Sequence, residues 1–522
     1  MTTPDVTVVV AVYNTMPYLT KCLNSLVGQS IGRERLEIIA VDDGSTDGSG
    51  RELDRFARLY PGTVKVIHQA NSGGPAAPSN RALDQATGRY VFFIGSDDYL
   101  GVEALERLVS AADRYSSDVV LGKMVGVNGR NIDQVIYAST EPQIGLFDSA
   151  LPWALSNTKL FRRELIERYG LRYPEDMPVG SDQPFTLEAC FRANRISVLA
   201  DYDYYYAVRR LNAHNITYRS RHEERLRCAE SIVAFVARLI EPGKQRDAVL
   251  VRHFSWEIAK LLEKDFLLVD RQVQARVKAG IRSLAEQYLT DNIRDQLRVE
   301  ARIRLALAQR GDVDDLLAVI RQDAELGAPP TVVEGDRWYA AYPGFRDPRL
   351  SLPDAWFDIT DTAADWIARL DTVSVGWEAG EGGARGLTVT GHSARPDLVD
   401  LCCGPIQLQV GDVPGDTAVI TRDAAGTTVR ARFLVDRLLA DIAPGGEVRT
   451  VQTHLRAFGA SGTAPLRGPG GSARRLLARH GTRFHVVTVT TNHKGHLVVA
   501  IAPVTPRRVL ARLRRKLPLG GN

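Results

Sequence analysis

The chain has 522 residues, of which 44% are hydrophobic and 25% charged, and its net charge is +4. This length exceeds what one hydrophobic core usually supports and predicts about two to four domains, while the small net charge gives no support to a nucleic-acid partner. The five cysteines lack C-x-x-C spacing, and the N-terminal run lacks the basic segment of a signal peptide. Because no apolar stretch approaches the ~20 residues of a membrane helix, we predict a cytoplasmic protein.

The first 100 residues alternate between short β-branched or aromatic runs and helical patterns. The apolar runs lack polar alternation, which is typical of strands buried on both faces of a parallel sheet. Strand and helix in alternation predict a Rossmann-like α/β layered domain. The predicted strands are residues 6–13, 36–43, 64–69 and 89–95.

Polar side chains follow each of these four strands at the point where the strand ends. In parallel sheets the ligand crevice lies outside the carboxyl ends of the strands, so these side chains predict a ligand site. For Asp97 and Asp98 the alternative is a turn, in which aspartate bonds to nearby backbone amides. The polar residues at the four strand ends are Tyr13, Asn14, Asp42, Asp43, Gln69, Asn71, Asp97 and Asp98.

Two further regions with different sequence patterns follow along the chain. Residues 220–330 are rich in Arg, Glu, Leu and Ala and predict several amphipathic helices. Pro329 and Pro330 indicate a boundary. Beyond about residue 345, short alternating runs with frequent turn residues predict an antiparallel, immunoglobulin-like β-sandwich. We therefore divide the chain into an α/β domain at 1–219, a helical region at 220–330 and a β-rich domain at 331–522.

Five motifs occur in order along the first part of the chain: VVVAVYN, VDDGSTDGS, NSGGPAAPSNRAL, GSDDYL and GSDQPF. Over residues 5–215 they resemble the family 2 glycosyltransferases of the GT-A fold. The GKMVGVNGR stretch at 122–130, with the helical and β-rich parts, is more narrowly similar to bacterial polyol-phosphate (wall teichoic acid) N-acetylglucosaminyltransferases. The resemblance implies an inverting enzyme that moves a sugar, expected to be GlcNAc from UDP-GlcNAc, onto a hydroxyl of a cell-envelope polymer such as a polyol-phosphate teichoic acid.

The resemblance also implies which residues contact the substrates. A tyrosine ring can stack on uracil, a carboxylate can accept the N–H of the base, and arginine can pair with phosphate. For Arg81 the alternative is a solvated helix residue. The residues implied in substrate binding are Ala11, Tyr13, Asp43, Asn71, Arg81, Ser96, Asp97, Arg130 and Arg210.

A divalent cation, Mn²⁺ or Mg²⁺, is implied for neutralising the diphosphate, because both ions favour oxygen ligands. The implied ligands are Asp97, Asp98 and His214, and which of the two aspartates binds the metal stays open. Gly95 stands where the family usually has the first aspartate of Asp-x-Asp. For His214 the alternative is a structural or exposed histidine.

The catalytic base implied by the resemblance is Asp182, which would take a proton from the acceptor hydroxyl. Ser181 replaces the glutamate that precedes this aspartate in the family. The alternative for Asp182 is a helix N-cap. Three residues fall where the family tends to contact the sugar or the acceptor, and the first of them could equally be a core residue: Trp153, Asn157 and Lys159.

Other functions stay open at this point. A nucleotidyltransferase would be expected to carry a glycine-rich loop near the first strand, which AVYNTMPYL lacks. A capsular or exopolysaccharide glycosyltransferase using another UDP-sugar and a non-catalytic carbohydrate-binding protein are the remaining alternatives. The resemblance implies a homo-oligomer, commonly a trimer. Six basic residues within 507–516 predict either peripheral contact with an anionic membrane, at about 1 kcal/mol each, or a solvated end.

Overall fold

The computed structural model describes residues 3–210, 222–379, 385–416, 418–440, 442, 446–469, 473–492 and 495–504. The chain divides into two compact units. The first comprises Met1–Gly327 with Tyr342–Trp356, and the second comprises Ala328–Ala341 with Phe357–Asn522. The borders predicted at residues 219 and 330 stay predictions.

The first unit is built on an eight-stranded mixed sheet with the order β3-β2-β1-β4-β9-β6-β10-β8. The four strands predicted in the first 100 residues are confirmed as β1 to β4. They pair in parallel with one another, whereas β4 pairs antiparallel with β9 on its other side. The strands of this sheet are β1 (Val6–Val12), β2 (Leu36–Asp43), β3 (Val64–Gln69), β4 (Tyr90–Gly95), β6 (Val119–Gly122), β8 (Glu141–Ile144), β9 (Leu160–Arg162) and β10 (Ile196–Leu199). A second, three-stranded sheet has the order β5-β11-β7 and consists of β5 (Tyr99–Leu100), β7 (Met124–Val127) and β11 (Tyr205–Val208).

The helices that accompany these strands are α1 (Leu19–Val27), α2 (Ser49–Leu59), α3 (Ala76–Leu83), α4 (Ala104–Tyr115), α5 (Arg163–Tyr169) and α6 (Asp182–Arg192). Helix α6 is fixed to the sheet by an aromatic cluster. The Phe185 ring stacks on Tyr173 with 4.5 Å between centroids, and it meets the edge of Phe93 on β4 at 5.3 Å. Because β4 ends only two residues after Phe93, this cluster links the start of α6 to the carboxyl edge of the sheet.

The predicted helical region is confirmed as a set of helices that complete the first unit. They are α7 (His222–Leu239), α8 (Lys244–His253), α9 (Arg271–Tyr288), α10 (Asp291–Gln296), α11 (Val299–Arg310) and α12 (Val313–Arg321). A π-helical turn, Phe254–Ile258, and two 3-10 segments, Ala259–Leu262 and Lys264–Leu268, connect α8 to α9. Within the described ranges, no helix is both long enough and apolar enough to cross a membrane.

The second unit is made of antiparallel sheets, as predicted. A four-stranded sheet has the order β14-β15-β19-β18, a larger sheet has the order β17-β16-β20-β24-β23-β22 with β21 on β20, and β12 pairs with β13. The strands are β12 (Thr331–Glu334), β13 (Arg337–Ala340), β14 (Asp371–Ala379), β15 (Arg385–Ser393), β16 (Gln407–Val410), β17 (Val413–Pro414), β18 (Val419–Asp423), β19 (Gly426–Leu434), β20 (Glu447–Ala457), β21 (Ala460–Pro465), β22 (Arg474–His480), β23 (Arg483–Thr491) and β24 (Leu497–Pro503). Short helices are α13 (Ala363–Ile367), α14 (Leu398–Leu401) and α15 (Val435–Leu439).

Candidate active site

Asp98 is buried directly after β4 and is held by the second sheet. The Tyr205 hydroxyl donates to its Oδ2 atom at 2.6 Å, and the Val208 backbone N–H donates to Oδ1 at 2.7 Å. Arg130 Nη1 lies 3.6 Å from the same Oδ1 atom. Burial and the neighbouring charge of Asp97 raise the pKa of Asp98 to about 6, against the opposing effect of Arg130 and of the two hydrogen bonds. Both carboxylate oxygens of Asp98 are therefore already occupied by groups on β11.

Asp97 is paired with Arg210. The Arg210 Nε atom donates to Asp97 Oδ2 at 2.6 Å, and both side chains are less than one-fifth exposed, at 14% and 18%. The structure thus brings together Asp97, which the resemblance implies in substrate or metal binding, and Arg210, which it implies as a contact of the diphosphate. His214, the third predicted metal ligand, lies outside the described residues.

The two carboxylates can be tested against the implied divalent cation. In the part of the chain that the structure describes, no group of three or more His, Cys, Asp or Glu side chains is placed to hold a metal. Burial and the charge of Asp97 nevertheless both raise the pKa of Asp98, and carboxylate oxygens are the ligands that Mn²⁺ and Mg²⁺ prefer. Asp97 and Asp98 therefore fit a divalent cation whose remaining ligands are not among the described residues. Asp97 is the better placed carboxylate: among the described residues only its Oδ2 atom is paired, with Arg210, whereas both oxygens of Asp98 accept hydrogen bonds, from Tyr205 and Val208.

Gly95 explains a departure from the family pattern. A Cβ atom at this position would lie 2.9 Å from Asp98 Oδ2 and 3.2 Å from Asp97 Oδ1. The first distance is shorter than real Cβ contacts, so a side chain here would displace Asp98 from Tyr205. Glycine in place of the first aspartate of Asp-x-Asp is therefore consistent with how the two remaining carboxylates are packed.

Asp43 lies at the end of β2 and is bonded to the segment that follows β3. Gln69 Nε2 donates to its Oδ1 at 2.6 Å, the Ser72 backbone N–H donates at 3.1 Å, and Asn71 Nδ2 donates to its backbone oxygen at 3.1 Å. Arg81 is exposed on α3 and donates to Gln69 Oε1 at 3.2 Å. The predicted donor contacts Asp43, Asn71 and Arg81 therefore form one connected group. The Ser72 hydroxyl also donates to Asp43 Oδ2 at 3.0 Å, and the Ser72 backbone N–H lies 3.1 Å from both carboxylate oxygens. A carboxylate has about four acceptor sites, so the N–H of a base would have to displace one of these donors.

Three further predicted contacts lie around the end of β1. Ala11 is in register with Val41 on β2 and with Gly95 on β4, and the Tyr13 ring is 49% exposed. Ser96 differs, because it is buried and its hydroxyl lies 3.1 Å from that of Thr15. A substrate contact through the Ser96 side chain is therefore not supported by its placement.

Asp182 is the first residue of α6 and is partly exposed. The protein atoms crowded around its carboxyl raise its pKa, while the charges of Arg252 and Lys159 act in the opposite direction. Ser181 before it is buried, and within the described residues its hydroxyl has no hydrogen-bond partner. The arrangement gives a carboxylate with raised proton affinity, which is suited to accept a proton.

A polar cluster from the helical region lies beside this carboxylate, and sequence reasoning missed it. Arg252 Nη1 donates to Gln183 Oε1 at 2.8 Å and to Glu257 Oε1 at 2.5 Å. His253 Nδ1 lies 3.1 Å from Glu257 Oε2. Burial opposes the ionisation of Glu257, but Arg252 and His253 hold its pKa at about 2. The spacing of His253 and Glu257 at i and i+4 was the available signal in the sequence.

The three predicted sugar or acceptor contacts in 153–159 separate in the structure. Trp153 is 46% exposed, whereas Asn157 Nδ2 donates to the Tyr173 hydroxyl at 2.9 Å. Lys159 is buried and donates to the backbone oxygens of Ala154 and Ser156, both at 2.5 Å. Burial lowers the pKa of Lys159 to about 8. The interpretation of Lys159 as a sugar or acceptor contact is wrong, because its ammonium group holds a loop inside the protein.

Comparisons with known proteins agree with this geometry. Residues 7–170 match the family model described as glycosyl transferase family 2, and residues 224–320 match the glycosyl transferase TarS linker domain. The chain is 41% identical over 209 residues to a poly(ribitol-phosphate) beta-glucosyltransferase of Bacillus spizizenii. It is 40% identical over 207 residues to the poly(ribitol-phosphate) beta-N-acetylglucosaminyltransferase TarS of Staphylococcus aureus.

Each of these two matches covers 40% of this chain but only 33% and 36% of the relatives, so the matched part spans about a third of their length. The solved structure of S. aureus TarS 1–349 in complex with UDP-GlcNAc is 30% identical, with a TM-score of 0.57, and the likeness covers 65% of this chain and 97% of that one. The mixed sheet with paired aspartates after its central strand defines a GT-A fold. The chain belongs to glycosyl transferase family 2.

We expect Tyr205→Phe to lower the free energy of unfolding by about 1–3 kcal/mol, because it leaves a buried carboxylate short of one donor. Burial raises the pKa of Asp98 above its unfolded value, so ionisation of Asp98 costs stability as the pH rises through about 6. The loss in Tyr205→Phe should therefore be larger above pH 6 than below it. Urea unfolding at both pH values measures this.

The control is Tyr99→Phe on β5, the strand that pairs with β11. Among the described residues, the Tyr99 hydroxyl has no hydrogen-bond partner. This variant should unfold like the wild type at both pH values. An equal, pH-independent loss in the two variants would contradict the placement of Tyr205 on Asp98.

Proposed function

We propose that this chain transfers a sugar from a UDP-sugar onto a hydroxyl of a polyol-phosphate polymer of the cell envelope. The observation that carries the proposal is the placement of Asp182 on a helix that packs through Phe185 onto β4, the strand that ends at Asp97 and Asp98. The relatives at 40% and 41% identity, both named as poly(ribitol-phosphate) glycosyltransferases, support the acceptor class. UDP-GlcNAc is the first donor to test, and UDP-glucose is the second because one relative is a glucosyltransferase.

The donor is proposed to lie along the carboxyl edge of β1, β2 and β4. The exposed Tyr13 ring offers a surface for uracil, and Asp43 would accept the N–H of the base in place of one of its present donors. Arg81 and Arg210 supply positive charge for the diphosphate. Asp97 and Asp98, with His214 as a further ligand, would hold Mn²⁺ or Mg²⁺, which neutralises charge on the leaving diphosphate when bound.

The chemical step proposed is a single in-line displacement. Asp182 accepts the proton of the acceptor hydroxyl as its oxygen forms a bond to the anomeric carbon. The bond from that carbon to the diphosphate oxygen breaks at the same time, and UDP leaves with the electron pair. Arg252 has a positioning role in this proposal, because its positive charge favours the ionised form of Asp182 that accepts the proton.

Two further expectations stay proposals. The second unit is proposed to mediate self-association, with a trimer as the arrangement expected from the resemblance. The basic tail at 507–516, which lies outside the described residues, is proposed to make peripheral contact with an anionic membrane surface.

We expect Asp182→Asn to lose transfer by about 10²-fold or more, because general bases contribute on that order. Binding of UDP-GlcNAc should be unchanged, since the base acts on the acceptor. Product formation and donor titration measure the two effects. The matched control is Asp176→Asn, an exposed aspartate on the preceding loop, and it should behave like the wild type.

The pH dependence of transfer tests the same assignment. Activity should fall as the pH falls through the raised pKa of Asp182, because the base is then protonated. Arg252→Gln removes a charge that lowers this pKa, so the acid limb of kcat/KM should move to higher pH. Near wild-type turnover by Asp182→Asn, or an unmoved acid limb in Arg252→Gln, would contradict the assignment.

We expect Mn²⁺ to strengthen UDP binding by the wild type and to have little effect on Asp97→Ala. The physical reason is that Asp97 is the carboxylate not already committed to backbone and tyrosine donors. Calorimetric titration of UDP with Mn²⁺ and with chelator measures this, and Asp295→Ala, an exposed aspartate in α10, is the control. Equal UDP affinity of the wild type in both conditions would show that the arginines suffice.

A further inference from the structure

The hairpin formed by β22 and β23 in the second unit is strongly cationic. Residues 474–491 contain four arginines and two histidines, with no aspartate or glutamate. The two strands pair along their length, from Arg474 opposite Val489 to His480 opposite Arg483. The hairpin therefore concentrates positive charge and has no acidic residue of its own to neutralise it.

The arginines of this hairpin have no carboxylate partners among the described residues. Arg479 donates only to the backbone oxygen of Gly481, at 2.9 Å. Several other arginines of the same unit are paired with acids: Arg395 with Asp397 at 2.8 Å, Arg430 with Glu378 at 2.5 Å and Arg449 with Glu447 at 2.6 Å. The hairpin charge is thus available to an external anion.

One face of the hairpin combines this charge with apolar surface. Arg475, Leu477 and Arg479 alternate along β22 and are exposed, and Phe484 lies opposite Arg479 on β23. Leu477 is 54% exposed and Phe484 49% exposed, whereas Ala478 on the other face is buried. We call these four residues, Arg475, Leu477, Arg479 and Phe484, the basic face.

The basic face borders an open strand edge. β22 is the last strand of its sheet and pairs with β23 alone among the described strands. Arg385, from β15 of the other sheet, reaches this edge and donates to the Leu477 backbone oxygen at 2.9 Å. A further cation therefore stands beside the basic face.

We propose that the basic face binds the phosphodiester chain of the acceptor polymer, within the unit that does not contain Asp182. The inference rests on the proposed function for the identity of the polymer. Guanidinium groups recognise phosphate through paired N–H donors. Strands rise about 3.4 Å per residue, which separates Arg475 and Arg479 by roughly 14 Å, so a linear polyanion can contact both. Leu477 between the two arginines and Phe484 opposite Arg479 offer apolar surface to the carbon chain of the polyol.

The charge pattern disfavours a second copy of the chain as the occupant. Pairing of two β22 edges would place arginines of one copy against arginines of the other, and like charges on neighbouring strands are destabilising. An anionic membrane would share the phosphate chemistry. A row of arginines along one strand fits a linear polymer better than a membrane surface. The test therefore also measures binding to vesicles of anionic phospholipid.

The test uses the full chain with Arg475→Gln and Arg479→Gln combined. We expect affinity for long poly(ribitol-phosphate) to fall about tenfold or more, because two charge-assisted contacts are lost, and the difference to shrink as salt rises. Affinity for and transfer to a short oligomer should be unchanged. The control combines Arg422→Gln and Arg456→Gln, two exposed arginines on β18 and β20 with the same total charge change.

Three results would overturn the inference: wild-type affinity of the variant for the long polymer, an equal loss in the control, or a loss confined to vesicles of anionic phospholipid. The binding assay needs no turnover. Hairpin-dependent polymer binding without any glycosyl transfer would therefore refute the proposed function alone, whereas transfer with hairpin-independent binding would refute this inference alone.

Discussion

The constraint on which the site depends is the placement of two adjacent aspartates at the end of a buried strand. Two like charges in a poorly solvated position repel each other and disfavour ionisation. Donors from a separate sheet offset this repulsion. Tyr205 and Val208 of β11 donate hydrogen bonds to Asp98, and Arg210, just beyond β11, pairs with Asp97. The three-stranded sheet beside the end of β4 therefore supplies the donors that hold Asp98.

The same electrostatic logic governs Asp182. Crowding by protein raises its proton affinity, and the buried cations Lys159 and Arg252 limit that rise. Arg252 belongs to α8, in the segment that matches the TarS linker domain. It is anchored by Glu257 and Gln183, and Gln183 directly follows Asp182. The helical region is therefore a part of the electrostatic environment of the candidate base as well as a connection between two other parts of the chain.

Sequence patterns predicted the elements whose residues are uniform in character. The β-branched runs of β1 to β4 were placed correctly because both faces of these strands are buried. The longest described strand of the second unit, Glu447–Ala457, lacks a clean alternating pattern, because polar residues interrupt its apolar side. Tyr205 and Arg252 were missed for another reason, since the contacts that bring them to the site, Tyr205 to Asp98 and Arg252 to Gln183, span more than 60 positions in sequence. Lys159 was misinterpreted because a buried lysine without an acidic partner is rare.

The central claim is that Asp182 drives a single displacement at the anomeric carbon. The most direct measurement is the anomeric configuration of the transferred sugar, read from the proton coupling constant of the product by NMR. With the α-linked sugar of UDP-GlcNAc as donor, one displacement inverts the centre and predicts a β-linked product. An α-linked product would require two displacements or a different geometry, and it would contradict the role assigned to Asp182.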